Sequence, residues 1–168
     1  MYGLLGGCIV NTGDNQKHTQ HTKDNFMERV LVNIPSNPVF ERVVRASADE
    51  VGQVIGLAPE RIEDLKLAVS EAVNNAIEHG NRRQTAKLVE VVFLLDQEKL
   101  EVRIRDEGEG AERVDFSRRI VEEHNLEAGM HRGFGMYLIN ALVDHCEVSS
   151  SQQGTVMTLR LYREGYQR

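Results

Sequence analysis

The sequence predicts an α+β domain: a two-layer sandwich of helices on a sheet that is antiparallel for most of its strands. The prediction rests on the order of the elements, since two helical segments precede a strand hairpin, and one more helix precedes a final hairpin. This order lacks the strict strand–helix alternation of a parallel doubly wound sheet. A length of 168 residues, 40% of them hydrophobic, is appropriate for one globular domain.

The N-terminal segment differs in composition from the rest of the chain. Residues 11–25 contain almost no apolar side chains and cannot offset the entropy lost on ordering. We therefore expect residues 1–26 to form a mobile tail and residues 27–168 to form the folded domain. The two cysteines, Cys8 and Cys146, are far apart and form no C-x-x-C pair, which argues against a disulfide framework and for a reducing cytoplasm.

The folded part opens with a strand and a helix. Val30, Val32 and Ile34 alternate with other residues before Pro35, which predicts a short strand. A helix then follows, capped by Ser36 or Asn37, running to about residue 55 and closed by a glycine.

Hydrophobic periodicity and turn residues predict the later elements. Pro59 is suited to the first turn of a second helix, because its missing N–H needs no partner there. A short helix at 116–123 is expected within a glycine-containing polar stretch. The remaining predicted elements are helix 59–79, strands 87–95 and 100–105, helix 136–143, and strands 145–150 and 155–162.

The charge balance excludes two classes of partner. Lys and Arg total 20 against 26 Asp and Glu, a formal charge of -6, so no positive field attracts nucleic acid or an anionic membrane surface. No apolar run approaches the ~20 residues that span a bilayer. We expect neither direct nucleic-acid binding nor membrane insertion.

A line of polar residues follows one side of the second helix. Glu71, Asn75 and His79 recur at steps of four, while the apolar residues cluster on the other side. An amide oxygen such as that of Asn75 is a ligand that Mg²⁺ accepts, and Glu71 one turn away can act on a nucleophile beside the ion. The alternative is an ordinary solvated helix face.

An acidic residue ends the second hairpin strand, in the pattern D-x-G-x-G. Gly108 and Gly110 let the backbone approach a flat ligand closely, and the carboxylate of Asp106 can accept from an exocyclic amine such as that of adenine. The alternative is an acidic surface turn.

Two more motifs accompany these. Gly133 and Gly135 lie in a glycine-rich loop that leads into a helix N-terminus, where free N–H groups attract phosphate, although no Walker A motif is present. The alternative is that this loop is only a flexible connection to the helix. Thr155 begins the last strand after a glycine, and its hydroxyl can form a hydrogen bond with a base. The alternative is that Thr155 has no functional role, because threonine is common in strands.

Taken in order, these motifs resemble those of the Bergerat-fold ATPases, the superfamily of gyrase, Hsp90, histidine kinases and MutL. The segments EDLKLAVSEAVNNAIEHGN and RGFGMYLINALVDHCEV, with GTVMTLRLY at the end, are similar to the stand-alone anti-sigma-factor serine kinases of bacteria. The resemblance covers residues 28–162. It implies helices on one face of a mixed, mostly antiparallel sheet, with a lid over the nucleotide at about residues 111–132.

The resemblance also implies roles for individual residues. Asn75 would ligate Mg²⁺ on the phosphates of ATP, and Glu71 would activate the attacking group. Asp106 would receive the adenine amine. The other implied nucleotide-binding residues are His79 in the helix motif, Gly108 and Gly110 at the base pocket, Gly133 and Gly135 at the phosphates, and Thr155 beside adenine.

The function implied is that of a cytoplasmic, homodimeric, Mg·ATP-dependent protein-serine kinase. It would phosphorylate a small antagonist protein and bind a sigma factor when that antagonist is unavailable. Two alternatives remain. An orphan catalytic domain of the histidine-kinase type is disfavoured because 168 residues leave no room for phosphoacceptor helices. A non-catalytic, nucleotide-dependent binding module is weakly disfavoured by the intact Glu71.

Overall fold

The structure, a computed structural model, describes residues 2–5, 8–11, 28–110 and 134–163. No helix among these residues is long and apolar enough to cross a membrane. In chain order the elements are β1 (Tyr2–Leu5), β2 (Cys8–Asn11), β3 (Glu28–Pro35), α1 (Glu41–Val54), α2 (Pro59–Asn75), β4 (Leu88–Leu95), β5 (Lys99–Asp106), α3 (Phe134–Leu142), β6 (His145–Ser151) and β7 (Gly154–Tyr162).

The strands form one sheet in the order β1-β2-β6-β7-β5-β4-β3. Every neighbouring pair is antiparallel except β2 and β6, which are parallel. The predicted α+β class, with a mixed and mostly antiparallel sheet, is therefore confirmed. Strand β5 ends where its neighbour β7, the central strand, begins, which brings Asp106 close to Thr155.

The core lies between the helices and one face of the sheet. Alternate residues of β4, such as Val91 and Phe93, pack into it, as the period of two in a strand requires. The apolar side of the predicted helix 59–79 is buried there: Ile62, Leu65, Val69, Val73 and Ala76. Glu71 and Asn75 lie at the edge of this buried side and are half-buried, so the polar line borders the core and does not lie opposite it.

The first predicted helix is divided in the structure. Pro38–Phe40 forms a 3₁₀ turn, and the α-helix begins only at Glu41. The side chain of Asn37 accepts from the N–H of Val39 at 3.0 Å, which caps this turn. The helix ends as expected at Gly56, whose φ of 73° is the left-handed conformation that glycine favours.

The second predicted helix, 59–79, also ends differently. The α-helix stops at Asn75, and Ala76–Gly80 forms a π-helical turn closed by a bond from the Asn81 N–H to the Ala76 carbonyl at 2.8 Å. The wider turn changes the angular step between Asn75 and His79 that a regular helix predicts. Single π-turns inside helices are frequent at functional sites.

The N-terminal expectation is wrong for two segments. β1 and β2 form an antiparallel hairpin, and β2 extends the sheet beyond β6. The expectation of a tail rests on the polar composition of residues 11–25, whereas β2 includes the apolar residues Ile9 and Val10. The rest of the expected tail, the expected lid at 111–132 and the short helix at 116–123 lie outside the described residues.

The argument against a disulfide is likewise wrong. Cys146 is buried and disulfide-bonded, and its register partner in β2 is Cys8, the other cysteine of the sequence. Distance along the chain does not limit this pairing, because the parallel register of β2 and β6 brings the two Cα atoms side by side.

Candidate functional site

A pocket lies between the C-terminal part of α2 and the sheet. Four of the residues predicted for the site share its wall: Asn75, His79, Asp106 and Thr155. Its apolar lining comes from six residues on the helices, the π-helical turn and the strands: Ala72, Ala76, Ile104, Met136, Val148 and Met157. An apolar cleft with a few convergent polar groups is typical of a small-molecule site.

Asp106, the last residue of β5, is the most buried polar group of this pocket, with 4% of its surface exposed. Its Oδ1 accepts from the backbone N–H of Gly108 at 2.9 Å and of Thr155 at 3.0 Å. No described residue donates a hydrogen bond to its Oδ2. The carboxylate is thus fixed through one oxygen and keeps the other available to an exocyclic amine.

Three glycines pack around this carboxylate. A Cβ at Gly80 would overlap the side chain of Asp106, and a Cβ at Gly108 would lie 2.5 Å from the Gly80 carbonyl oxygen. Gly154 has a φ of 115°, and a Cβ there would overlap the Asp106 carbonyl. We call Gly80, Asp106, Gly108 and Gly154 the Asp106 cradle.

Sequence reasoning assigns no role to two members of this cradle. Gly80 directly follows His79 and Gly154 directly precedes Thr155, so both lie inside motifs recognised in the sequence. Their proximity to Asp106 depends on tertiary structure and carries no local signal.

Gly110 lies in a different environment from the one predicted. Its φ is 65°, and a Cβ there would overlap the carbonyl oxygen of Ser151 in β6. It is not among the residues that line the pocket. In the structure Gly110 therefore permits a close approach to the β6–β7 turn, and its predicted role at the base remains a prediction.

Glu71 and Asn75 lie one turn apart on α2, against the first turn of α3. A Cβ at Gly135 would lie 2.8 Å from Glu71 Oε2 and 3.8 Å from Asn75 Nδ2. The Asn75 Nδ2 also donates to the Met136 Sδ at 3.9 Å, and no residue within the described ranges donates a hydrogen bond to its amide oxygen. The absence of a side chain at Gly135 thus brings the positive end of α3 close to the carboxylate. Gly133 lies outside the described residues.

The side-chain oxygen atoms of Glu71 and Asn75 are suitable ligands for a magnesium ion that the phosphates of a nucleotide also bind. Across residues 28–110 and 134–163 there is no cluster of three or more His, Cys, Asp or Glu able to hold a metal ion. Mg²⁺ in phosphate sites usually takes one or two protein oxygens and completes its shell with phosphates and waters. Asn75, with Glu71 beside it, provides such a sparse oxygen set. His79 is exposed at the rim and has the nitrogen ligand that Mg²⁺ does not prefer.

The domain architecture and pocket agree with the comparison by sequence family. The family model described as the histidine kinase-like ATPase domain matches residues 34–161. The chain belongs to this family.

Two individual relatives of this chain share the name serine-protein kinase RsbW. The serine-protein kinase RsbW of Bacillus pumilus is 31% identical over 147 residues, which cover 82% of this chain and 89% of that protein. The serine-protein kinase RsbW of Bacillus subtilis is 27% identical, over 84% of this chain and 89% of that protein.

A solved structure supports the fold. The crystal structure of the RsbU and RsbW domains of Rv1364c from Mycobacterium tuberculosis aligns with a TM-score of 0.55 at 22% identity. The alignment covers 80% of this chain and 32% of that chain, so this chain spans about a third of the longer protein.

Proposed function

We propose that the chain is an ATP-dependent protein-serine kinase that phosphorylates a small antagonist protein and binds a sigma factor as an anti-sigma factor. The similarity to serine-protein kinases named RsbW over most of their length supports the reaction class. One observation carries the nucleotide assignment: the Asp106 carboxylate lines an apolar pocket, is fixed through Oδ1 by two backbone N–H groups, and accepts no hydrogen bond at Oδ2 from a described residue.

In this proposal the adenine ring occupies the apolar pocket, with its exocyclic amine donating to Asp106. Thr155 contributes its hydroxyl near the base, and the Ser150 hydroxyl lies 3.4 Å from it, so the two can reorient together. The lining of Ile104, Met136 and Met157 excludes water from the ring faces. A purine that presents a carbonyl in place of the amine would meet the carboxylate acceptor-to-acceptor and bind more weakly.

The phosphates then extend toward the first turn of α3. Backbone N–H groups there, together with the helix dipole, stabilise phosphate oxygens, and Gly135 leaves the space for them. Mg²⁺, when bound through the Asn75 amide oxygen, supplies neutralisation of phosphate charge. Glu71 orients the serine hydroxyl of the antagonist and accepts its proton. By resemblance to the family, the proposed setting is the cytoplasm and the proposed state is a homodimer.

The decisive experiment offers the chain γ-³²P-ATP, Mg²⁺ and candidate antagonist proteins of the source cell, with mass spectrometry to identify the labelled residue. We expect transfer to one serine. Binding of Mg·ATP without transfer to any serine would favour the nucleotide-dependent binding module. A nucleotide at 100 times its Kd stabilises the fold by about 2.7 kcal/mol, so a missing Mg-dependent melting shift would contradict the ATPase assignment itself.

The metal assignment has a matched control on the same helix. Asn75→Ala should weaken ATP binding in the presence of Mg²⁺ and leave the weak Mg-free binding nearly unchanged. Asn74→Ala is the control, because Asn74 is the adjacent residue but lines the outer groove between α1 and α2. Equal losses in the two variants would remove Asn75 from the magnesium site.

A further inference from the structure

Asn81, which follows the π-helical turn, is fully buried and uses both ends of its amide. Its Nδ2 donates to the Leu88 carbonyl at 2.8 Å, and its Oδ1 accepts from the Glu107 N–H at 2.8 Å. The Glu107 Oε2 in turn accepts from the Leu88 N–H at 2.7 Å. We call these three residues the Asn81 clasp.

The clasp holds together two of the three segments that form the Asp106 cradle. Asn81 adjoins Gly80, which packs against the Asp106 carboxylate with no space for a Cβ. Glu107 lies between Asp106 and Gly108, whose N–H donates to that carboxylate. A displacement of the Glu107 backbone therefore moves both the carboxylate and one of its two donors.

An asparagine is suited to this position by its chemistry. The clasp needs one donor, for the Leu88 carbonyl, and one acceptor, for the Glu107 N–H, on a short planar group. Alanine has neither, so the Glu107 N–H and the Leu88 carbonyl would lose their Asn81 partner and the loop after β5 would shift.

We propose that Asn81 is a positioning residue that sets the preference of the pocket for adenine over purines with a carbonyl at the same ring position. The inference rests on the proposed role of Asp106 in receiving the adenine amine. Hydrogen bonds weaken steeply with distance and angle, and a binding group must be held to within about 0.5 Å. Loosening Asp106 thus weakens its attraction for the amine and its repulsion of the carbonyl together.

The test measures Kd for Mg·ATP and Mg·ITP by calorimetry in the wild type and in Asn81→Ala. ITP carries a carbonyl where ATP carries the amine. We expect the ITP/ATP ratio of Kd values to fall about tenfold in Asn81→Ala, which corresponds to one hydrogen bond. Glu107→Ala removes an exposed side chain and only one contact of the clasp, so it should fold and lower the ratio about threefold.

A matched control lies at the opposite end of the same hairpin. Asp96 Oδ1 accepts from the N–H groups of Glu98 and Lys99, both at 2.7 Å, so Asp96→Ala also frees backbone donors but away from the pocket. We expect Asp96→Ala to lower the melting temperature and keep the wild-type ratio.

The possible failures are distinct. If the wild type binds ATP and ITP equally, the adenine role of Asp106 is wrong and the proposed function loses its nucleotide assignment. If the wild type discriminates and the folded Asn81 and Glu107 variants discriminate equally well, Asn81 has a structural role alone and the inference is overturned. An equal loss of affinity for both nucleotides in these variants would overturn it as well.

Discussion

The two ends of the pocket are built in different ways. At the adenine end, Asp106 is held by two backbone N–H groups and enclosed by glycines from three separate segments. At the phosphate end, Glu71 and Asn75 come from one helix and are half-buried, and the Glu71 carboxylate accepts no hydrogen bond from any other described residue. At the first end the protein itself holds the carboxylate through Oδ1, whereas at the second end no described residue donates a hydrogen bond to the Glu71 carboxylate.

Burial explains the contrast. A carboxylate as buried as Asp106 is costly unless it is hydrogen-bonded, so the fold must satisfy it in the absence of nucleotide. Glu71 is only half-buried, so water can solvate its carboxylate and the fold need not supply a partner. From this contrast we expect Asp106 to govern the affinity for the base and Glu71 to govern the rate of transfer.

The largest effect is expected at Glu71. Glu71→Gln keeps the size of the side chain but cannot accept the serine proton, so phosphotransfer should slow by ~10²–10⁴. ATP affinity should stay within a few-fold of the wild type. Single-turnover transfer and calorimetric binding, measured on the same preparation, separate these two quantities.

A control for this variant lies on the same helix. Glu63→Gln removes a carboxylate whose side chain is 71% exposed and which pairs with Lys66, well away from the pocket. It should transfer phosphate at the wild-type rate. Transfer at the wild-type rate by Glu71→Gln as well would break the contrast between the two ends.

The next prediction, for Asp106→Asn, is the converse: affinity changes and the rate does not. An asparagine can still accept from Gly108 and Thr155 through its oxygen, but its amide then directs a donor at the adenine amine. ATP affinity should fall by roughly 1–3 kcal/mol, while the rate at saturating ATP changes little. Circular dichroism checks that the fold is intact. An unchanged Kd in the folded variant would remove Asp106 from the site.

The sequence predicts those features of the two ends that depend on short-range patterns. Spacing on one helix identifies Glu71 and Asn75, and a place at a strand end before two glycines identifies Asp106. Their roles are still predictions, but their proximity follows from periodicity and strand order, which short-range sequence patterns carry.

The remaining features depend on contacts between distant segments. The π-helical turn at Ala76–Gly80 interrupts the regular spacing that would have placed His79, and Gly80 meets Asp106 only because that turn leads back to β5. The pairing of β2 with β6 is likewise a matter of register. No local sequence pattern distinguishes this π-helical turn from an ordinary helix end. Likewise, no local pattern distinguishes the paired strand β2 from the start of a polar tail.

The smallest effect is expected within a matched pair of glycine substitutions, one at each end, of which Gly135→Ala is the weaker. At Gly80 an added Cβ would overlap a carboxylate that two hydrogen bonds hold in place, so Gly80→Ala should cost about 1–3 kcal/mol in binding of both ATP and adenosine. At Gly135 the added Cβ would lie 2.8 Å from Glu71 Oε2, the far end of a flexible side chain that can rotate away. Gly135→Ala should therefore weaken ATP only a few-fold and leave adenosine unaffected. Calorimetry with both ligands on variants of checked melting temperature decides the matter, and a larger loss of adenosine binding in Gly135→Ala than in Gly80→Ala would reverse the assignment of the two ends.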